Sequence, residues 1–144
     1  MVLFREKPGG PVEITIKLHS LPPGMRGIHI HEKPCGTLDF SEAGGHFNPT
    51  GAEHGFLNKK GPHAGDLPNI IIAEDGSSST VFISNRITLK EGEKHSILRP
   101  PGTSVVVHAE PDDYFTDPAG KAGERIACGT IRPANPGSPG GERR

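Results

Sequence analysis

GIHIHEKPCG, residues 27–36, carries two histidines two apart inside a short apolar run. In an extended chain successive side chains leave opposite faces, so Ile28 and Ile30 share one face and His29 and His31 the other. A strand that packs its isoleucines and turns two imidazoles the opposite way asks for something that binds both. The segment argues for a β-strand with one core face, and for a candidate metal pair on the other.

The flanking chain repeats the same period. VEITIKLHS, residues 12–20, sets Val12, Ile14, Ile16 and Leu18 against Glu13, Thr15, Lys17 and His19, a strand with one wet face. LPPGMRG reads as a turn. NIIIAEDGSSSTVFISN reads as strand, Asp-Gly turn and strand. TSVVVHAE is a β-prone run holding His108, and RIACGTIRP closes the fold as a last strand. Residues 33–69 and 110–124 are long polar loops, the first too poor in periodicity for a helix. Connections beyond about 15 residues are usually functional. No segment reads as a helix. The predicted class is all-β, a flattened barrel or sandwich with two long loops. One domain is expected over 1–133 and a flexible tail over 134–144, ANPGSPGGERR, which has no apolar anchor.

Composition narrows the function. The chain has 144 residues, 32% of them apolar, with 20 glycines and 15 prolines. The glycines and prolines punctuate β-like runs, so the pattern is turn-rich all-β rather than disorder. Net charge is −1, which gives no support to nucleic-acid binding. No window approaches 18 apolar residues, so no membrane span is expected. MVLFREKPGG has no apolar run of a secretory signal. Cys35 and Cys128 leave one disulfide or two thiols open. A bridge would close a loop of more than ninety residues, would add about 4–5 kcal/mol on the chain-entropy model, and would favour an oxidising compartment.

Of eight histidines, His19 and His95 read as ordinary surface residues. The others behave as a set. His29 and His31 offer two nitrogens to one metal, and neutral imidazole suits copper and zinc. His108 ends a strand that can lie alongside. His46 lies in GGHFNP, His54 in EHGF, and His63 with Asp66 in HAGD. Three histidines and one carboxylate make a tetrahedral zinc set. Such a metal would also explain an ordered loop so poor in apolar residues. The residues alone argue for one or two metal sites, without saying which metal goes where or whether a histidine is shared.

In order and spacing, GIHIHE (27–32), GGHFNP (44–49), His54, HAGDLPN (63–69), VVVHAEPDD (105–113) and GERIACG (123–129) resemble the copper/zinc superoxide dismutase family. The resemblance covers about residues 2–133. It implies a flattened Greek-key β-barrel and conversion of superoxide to dioxygen and hydrogen peroxide by alternate reduction and reoxidation of copper. It implies copper on His29, His31, His46 and His108, and zinc on His54, His63, Asp66 and the bridging His46. Asp112 resembles the carboxylate linking His29 to His54, Arg125 the arginine that attracts superoxide, and Cys35 and Cys128 the intrasubunit disulfide. The rivals are a copper-binding or copper-carrying domain of the same fold with little turnover, and a structural zinc domain.

Two departures stand out. Met1 begins almost at what resembles the family's second strand, so the usual first strand is expected to be missing, with a barrel edge left open. That leaves a homodimer, or a strand from another subunit, as partner readings. The loop from Asp112 to Arg125 is short and looks bacterial, with Lys121, Glu124, Asp113 and Asp117 as the charges near the channel. The disulfide and bacterial look favour an extracytoplasmic location, with the cytoplasm as alternative.

Overall fold

The computed structural model describes residues 1–134; all of the expected tail beyond Ala134 lies outside the described residues. The period-two runs become the strands β1 (Val2–Glu6), β2 (Val12–Leu18), β3 (Gly24–Arg26), β4 (Ile28–His31), β5 (Ile70–Ile72), β6 (Ser78–Ser84), β7 (Thr103–His108) and β8 (Arg125–Ile131). Sheets order as β1-β2-β6, β3-β5 and β4-β7-β8, with every pairing antiparallel. Only Gly27 separates β3 from β4, so the second and third groups share one continuous backbone run.

Alternation fills the core. Val2 and Phe4, Val12, Ile14 and Ile16, Ile28 and Ile30, Ile70 and Ile72, and Val105 and Val107 pack into one cluster, with Phe47 and Leu67 added from the 33–69 loop. β6 is the exception to apolar-inward patterning. Its register with β2 turns Ser84, Phe82 and Thr80 inward opposite Val12, Ile14 and Ile16. Val81 and Ile83 are left exposed on the outer face.

Three expectations change in detail. LPPGMRG does not end as a turn: after Pro23 the chain extends as β3 and pairs Met25 with Ile71. The Arg26 guanidinium holds this corner by donating to the carbonyls of Pro22, Pro23 and Ala109. The Asp75–Gly76 turn forms, with Ala73 N–H donating to Ser77 O at 2.8 Å, but its two strands join different sheets. The 33–69 loop contains one 3-10 turn, Phe40–Ala43, entered through Asp39, whose Oδ1 accepts from Ser41 N–H.

Among the described residues β1 and β8 each pair on one side only. Between their free edges runs a groove of about 500 Å³, lined in part by Val2, Ile28, Val105, Val107, Ala127 and Gly129. The open edge expected from the sequence is this seam.

Candidate metal centre

The register of β4, β7 and β8 decides which side chains share a face. His29 opposes Val106 and His31 opposes Ser104. Directly opposed residues point to the same side, and 104, 106 and 108 share that side on a period of two. His108 therefore emerges beside His29 and His31, while Ile28, Ile30, Val105 and Val107 fill the core face. At the end of β7, Val107 opposes Ala127 but His108 opposes Arg125, leaving Ile126 as an extra residue. A bulge of this kind re-aims a side chain; here it brings Arg125 alongside His108.

The other candidates arrive on the 33–69 loop. It lays two short segments along the free edge of β4. Glu32 N–H donates to Gly45 O at 2.9 Å, Phe47 N–H to Ile30 O at 2.8 Å, and Ile30 N–H to Gly65 O at 2.8 Å. His46 is thereby bridged to His31, and Asp66 to His29. Only glycine fits at 65, because a Cβ there would lie 2.3 Å from Ile30 O. The near end of the loop is tied to β8 by the Cys35–Cys128 disulfide, and no cysteine is left free among the described residues.

Hydrogen bonds identify which ring nitrogens are bare. His31 Nδ1 lies 2.9 Å from Gly44 O and His108 Nδ1 lies 3.2 Å from Gly123 O. A carbonyl only accepts, so both Nδ1 atoms carry the proton and both Nε2 atoms are lone pairs. Those two Nε2 atoms face each other at 3.3 Å. Two lone pairs so placed repel unless a cation sits between them. His29 donates from Nε2 to Asp112 Oδ2 at 2.8 Å, and its Nδ1 has no partner. His46 Nε2 is also buried without one, and such orphans are rare in folded proteins. Donor atoms of His29, His31, His46 and His108 lie within 4.8 Å of one another.

A second set adjoins the first. Asp66 Oδ1 lies 2.9 Å from His46 Nδ1, 3.0 Å from His54 Nδ1 and 3.3 Å from His63 Nδ1. His46 Nδ1 and His63 Nδ1 are 3.2 Å apart. Tetrahedral zinc with ligands at about 2.0 Å has edges of roughly 3.3 Å, so this spacing fits. His29 also comes within reach of His46, His54 and Asp66, but its Nε2 is committed to Asp112. His46 thus has one nitrogen on each set. Asp112 spans both, accepting from His54 Nε2 on Oδ1 and from His29 Nε2 on Oδ2, each at 2.8 Å. His19 and His95 belong to neither set.

Burial sets the charge states. It lowers the pKa of His29, and it takes His31 to about 2 and His46 and His108 to about 4, against the pull of their hydrogen-bond acceptors. These imidazoles are neutral and able to ligate at neutral pH. For His54 burial also lowers the pKa, but hydrogen bonds to Asp112 and Asp66 outweigh it and push it up to about 9. Both carboxylates are held well below the usual range by their histidine partners, despite burial. Without metal, the second set is thus neutralised by a proton on His54. That proton stabilises the metal-free fold fully below the unfolded pKa of about 6.5, and the contribution is lost as pH rises through about 9. The depressed histidines act oppositely: the metal-free fold weakens as pH falls below about 6.5 toward their folded values. Zinc uptake at pH 7.5 is therefore expected to release about one proton, and the release should fade above pH 9. Calorimetry in buffers of different ionisation enthalpy reads it; no proton release at pH 7.5 rejects the assignment.

Arg125 is half-buried, with its guanidinium donating to Phe40 O at 2.7 Å and Gly44 O at 2.6 Å. Burial lowers its pKa, but a guanidinium starts so high that it stays charged. Gly44 O is also the acceptor for His31, so one carbonyl fixes both the cation and a ligand.

Sequence reasoning missed the parts that act by contact across the fold. Gly120 packs so closely that a Cβ would lie 1.9 Å from Asp112 Oδ1 and 2.6 Å from His54 Nε2. Asn69 and Tyr114 flank Asp112. No local pattern marks these residues, although Asn69 stands in the HAGDLPN string.

A β-barrel whose outer face carries two adjoining histidine-rich donor sets, joined by one histidine and one carboxylate, defines a two-metal protein. The family model described as copper/zinc superoxide dismutase (SODC) matches residues 1–131, and the chain belongs to that family. It is 50% identical over 123 residues to superoxide dismutase [Cu-Zn] 2 of Aquifex aeolicus, covering 83% of this chain and 72% of the relative. It is 43% identical over 130 residues to the superoxide dismutase-like protein YojM of Bacillus subtilis, covering 89% of this chain and 66% of that one. Among solved structures it resembles a SOD-like protein from Bacillus subtilis in which a tyrosine and a proline were each changed to histidine. The TM-score is 0.85 and the identity 44%, over 90% of this chain and 86% of the other.

Proposed function

We propose that one domain over residues 1–133 converts superoxide to dioxygen and hydrogen peroxide. Copper is held by His29, His31, His46 and His108, and zinc by His46, His54, His63 and Asp66. The observation that carries this reading is the pair of bare Nε2 atoms on His31 and His108, 3.3 Å apart, beside the orphaned His29 Nδ1 and His46 Nε2. Bound copper supplies one-electron chemistry that zinc, with its filled d shell, cannot.

The chain's own residues do the rest. Arg125 offers the half-buried positive charge that draws in a small anion and orients it beside His108. Asp112 keeps the Nε2–H tautomer on His29 and His54, so that Nδ1 of each ring points at a metal. His46 is the proton carrier: its Nδ1 donates to Asp66 Oδ1 at 2.9 Å, and were Nδ1 to ligate zinc its proton would sit at Nε2, facing the first set. Two superoxide ions and two protons give dioxygen and hydrogen peroxide, and His46 Nε2 delivers one of those protons.

Arg125→Ala is expected to lower kcat/KM about tenfold or more and to flatten its salt dependence. Arg125→Lys keeps the charge but loses the planar fork on Phe40 O and Gly44 O, so its loss is smaller. Equal activity in all three proteins rejects the role. The copper-carrier reading draws on the relative named superoxide dismutase-like. Four copper-facing histidines and Arg125 favour turnover instead. Metal content and a superoxide assay on one preparation, with His108→Ala beside it, separate the two: full copper without turnover favours the carrier.

The seam between β1 and β8 supports a second subunit as partner, because free strand edges over an apolar floor invite strand pairing. A dimer in sedimentation velocity that dissociates on Ala127→Arg, at a half-buried seam position, supports it, and a monomer at high concentration rejects it. The disulfide supports an extracytoplasmic location, and a reduced Cys35–Cys128 pair in the native host counts against it.

A further inference from the structure

Asp112 is the side chain that touches both donor sets, and its backbone is held by Asn69. Asp112 N–H donates to Asn69 Oδ1 at 2.8 Å, and Asn69 Nδ2 donates to Asp112 O at 2.9 Å. Two opposed bonds to one side-chain amide fix both the position and the tilt of residue 112. Asn69 is itself latched, since its backbone N–H donates to Tyr114 Oη at 2.9 Å. Tyr114 closes the circuit. Its N–H donates to Asp112 Oδ1 at 2.7 Å, its carbonyl accepts from Leu57 N–H at 2.8 Å, and its ring lies edge-on to Phe56. It does so at φ 65°, a left-handed conformation that a tyrosine adopts only when its surroundings hold it there. Three segments therefore meet here: the one following His54, the one following Asp66, and the one starting at Asp112.

We propose that Asn69, latched by Tyr114, is a positioning residue for the metal pair. It touches no reacting atom. It sets the Asp112 carboxylate so that Oδ1 reaches His54 while Oδ2 reaches His29, and a small rotation of residue 112 would break one of those two contacts. The ring flips and tautomers of both histidines then depend on a clamp outside the ligand set. This rests on the two-metal reading given above.

The test is zinc affinity by chelator competition, on the full chain and on Asn69→Ala, Asp112→Ala and the double variant. Loss of a partner that orients metal-bound histidines costs roughly 10- to 100-fold in affinity, and Asn69→Ala is expected in that range. Because Asn69 acts through Asp112, the double variant should bind zinc like Asp112→Ala alone. Cobalt(II) in the zinc set should show a shifted visible spectrum in Asn69→Ala, which mere destabilisation would not produce. Additive losses, or unchanged zinc affinity in Asn69→Ala, overturn the proposal. Should Asn69→Ala fail to fold, Tyr114→Phe removes one hydroxyl only. It is expected to weaken zinc about 2- to 10-fold, the range of a single hydrogen bond, and no change overturns the latch. Failure of the unmodified chain to bind zinc rejects the two-metal reading instead.

Discussion

His46→Ala is expected to reduce superoxide turnover to background and to weaken both metals in one step. Among the described residues, His46 is the histidine with one ring nitrogen turned to each donor set: Nδ1 lies 2.9 Å from Asp66 Oδ1, while Nε2 is a buried orphan on the other side. Alanine removes a ligand from four-membered sets on both sides, and with it the proton carrier. The loss should exceed the roughly 10- to 100-fold that follows removal of an outer partner such as Asp112. His108→Ala is the control, since His108 faces only the first set. That variant should lose copper and keep zinc. Metal analysis after dialysis, together with the superoxide assay, reads both. Normal zinc retention in His46→Ala would show that His46 is not shared.

Metal-dependent stability should follow the same division. Ligand binding to the folded state alone adds to folding free energy. The metal-loaded His46→Ala protein should therefore melt close to the metal-free parent, whereas His108→Ala should keep the zinc contribution.

Much of this arrangement was legible in the sequence because it rests on short-range periods. Two-residue alternation puts Ile28 and Ile30 in the core and His29 and His31 on the outer face. The same period carries from Val106 to His108, so the sequence alone groups three of the histidines. His54, His63 and Asp66 were legible as residue types suited to zinc and through the family resemblance, because no period links them. The sharing of His46 came from the resemblance too, since no spacing says which nitrogen points where. What stayed hidden depends on backbone laid against groups distant in sequence, a carbonyl at Gly65 and side chains at Gly120. Gly65 is needed because the loop crosses Ile30 O, and Gly120 because it crosses Asp112; either glycine alone looks like another turn residue in a glycine-rich chain. β3 was hidden for a related reason. Pro22 and Pro23 announce a turn, but the pairing of Met25 with Ile71 comes from a strand more than forty residues away.

Cys128→Ser is expected to cost about 4–5 kcal/mol of stability in the metal-free protein. The bridge spans 93 residues of sequence, and the chain-entropy cost of leaving that loop open is of this size. For a domain of this length the loss corresponds to a fall of roughly 10–20 °C in melting temperature. Cys35→Ser should cost the same, and the double variant no more than either, because all three remove one bond. The functional effect follows from where the loop goes. Phe40 O and Gly44 O, which accept the two guanidinium bonds of Arg125, lie between Cys35 and His46. Freed from β8 at Cys128, that stretch keeps only hydrogen bonds at its near end, from Cys35 N–H to Thr130 Oγ1 and from Ser104 Oγ to Lys33 O, besides the pairing of residues 45–47 with β4. Metal-loaded Cys128→Ser should therefore keep copper and zinc yet lose turnover as Arg125 loses its fixed orientation, with the greatest loss at high salt, where an unfixed charge is most screened. Stopped-flow superoxide decay against ionic strength measures this. Full activity with an unchanged salt profile would mean that the remaining hydrogen bonds hold the loop, and that the disulfide serves stability only.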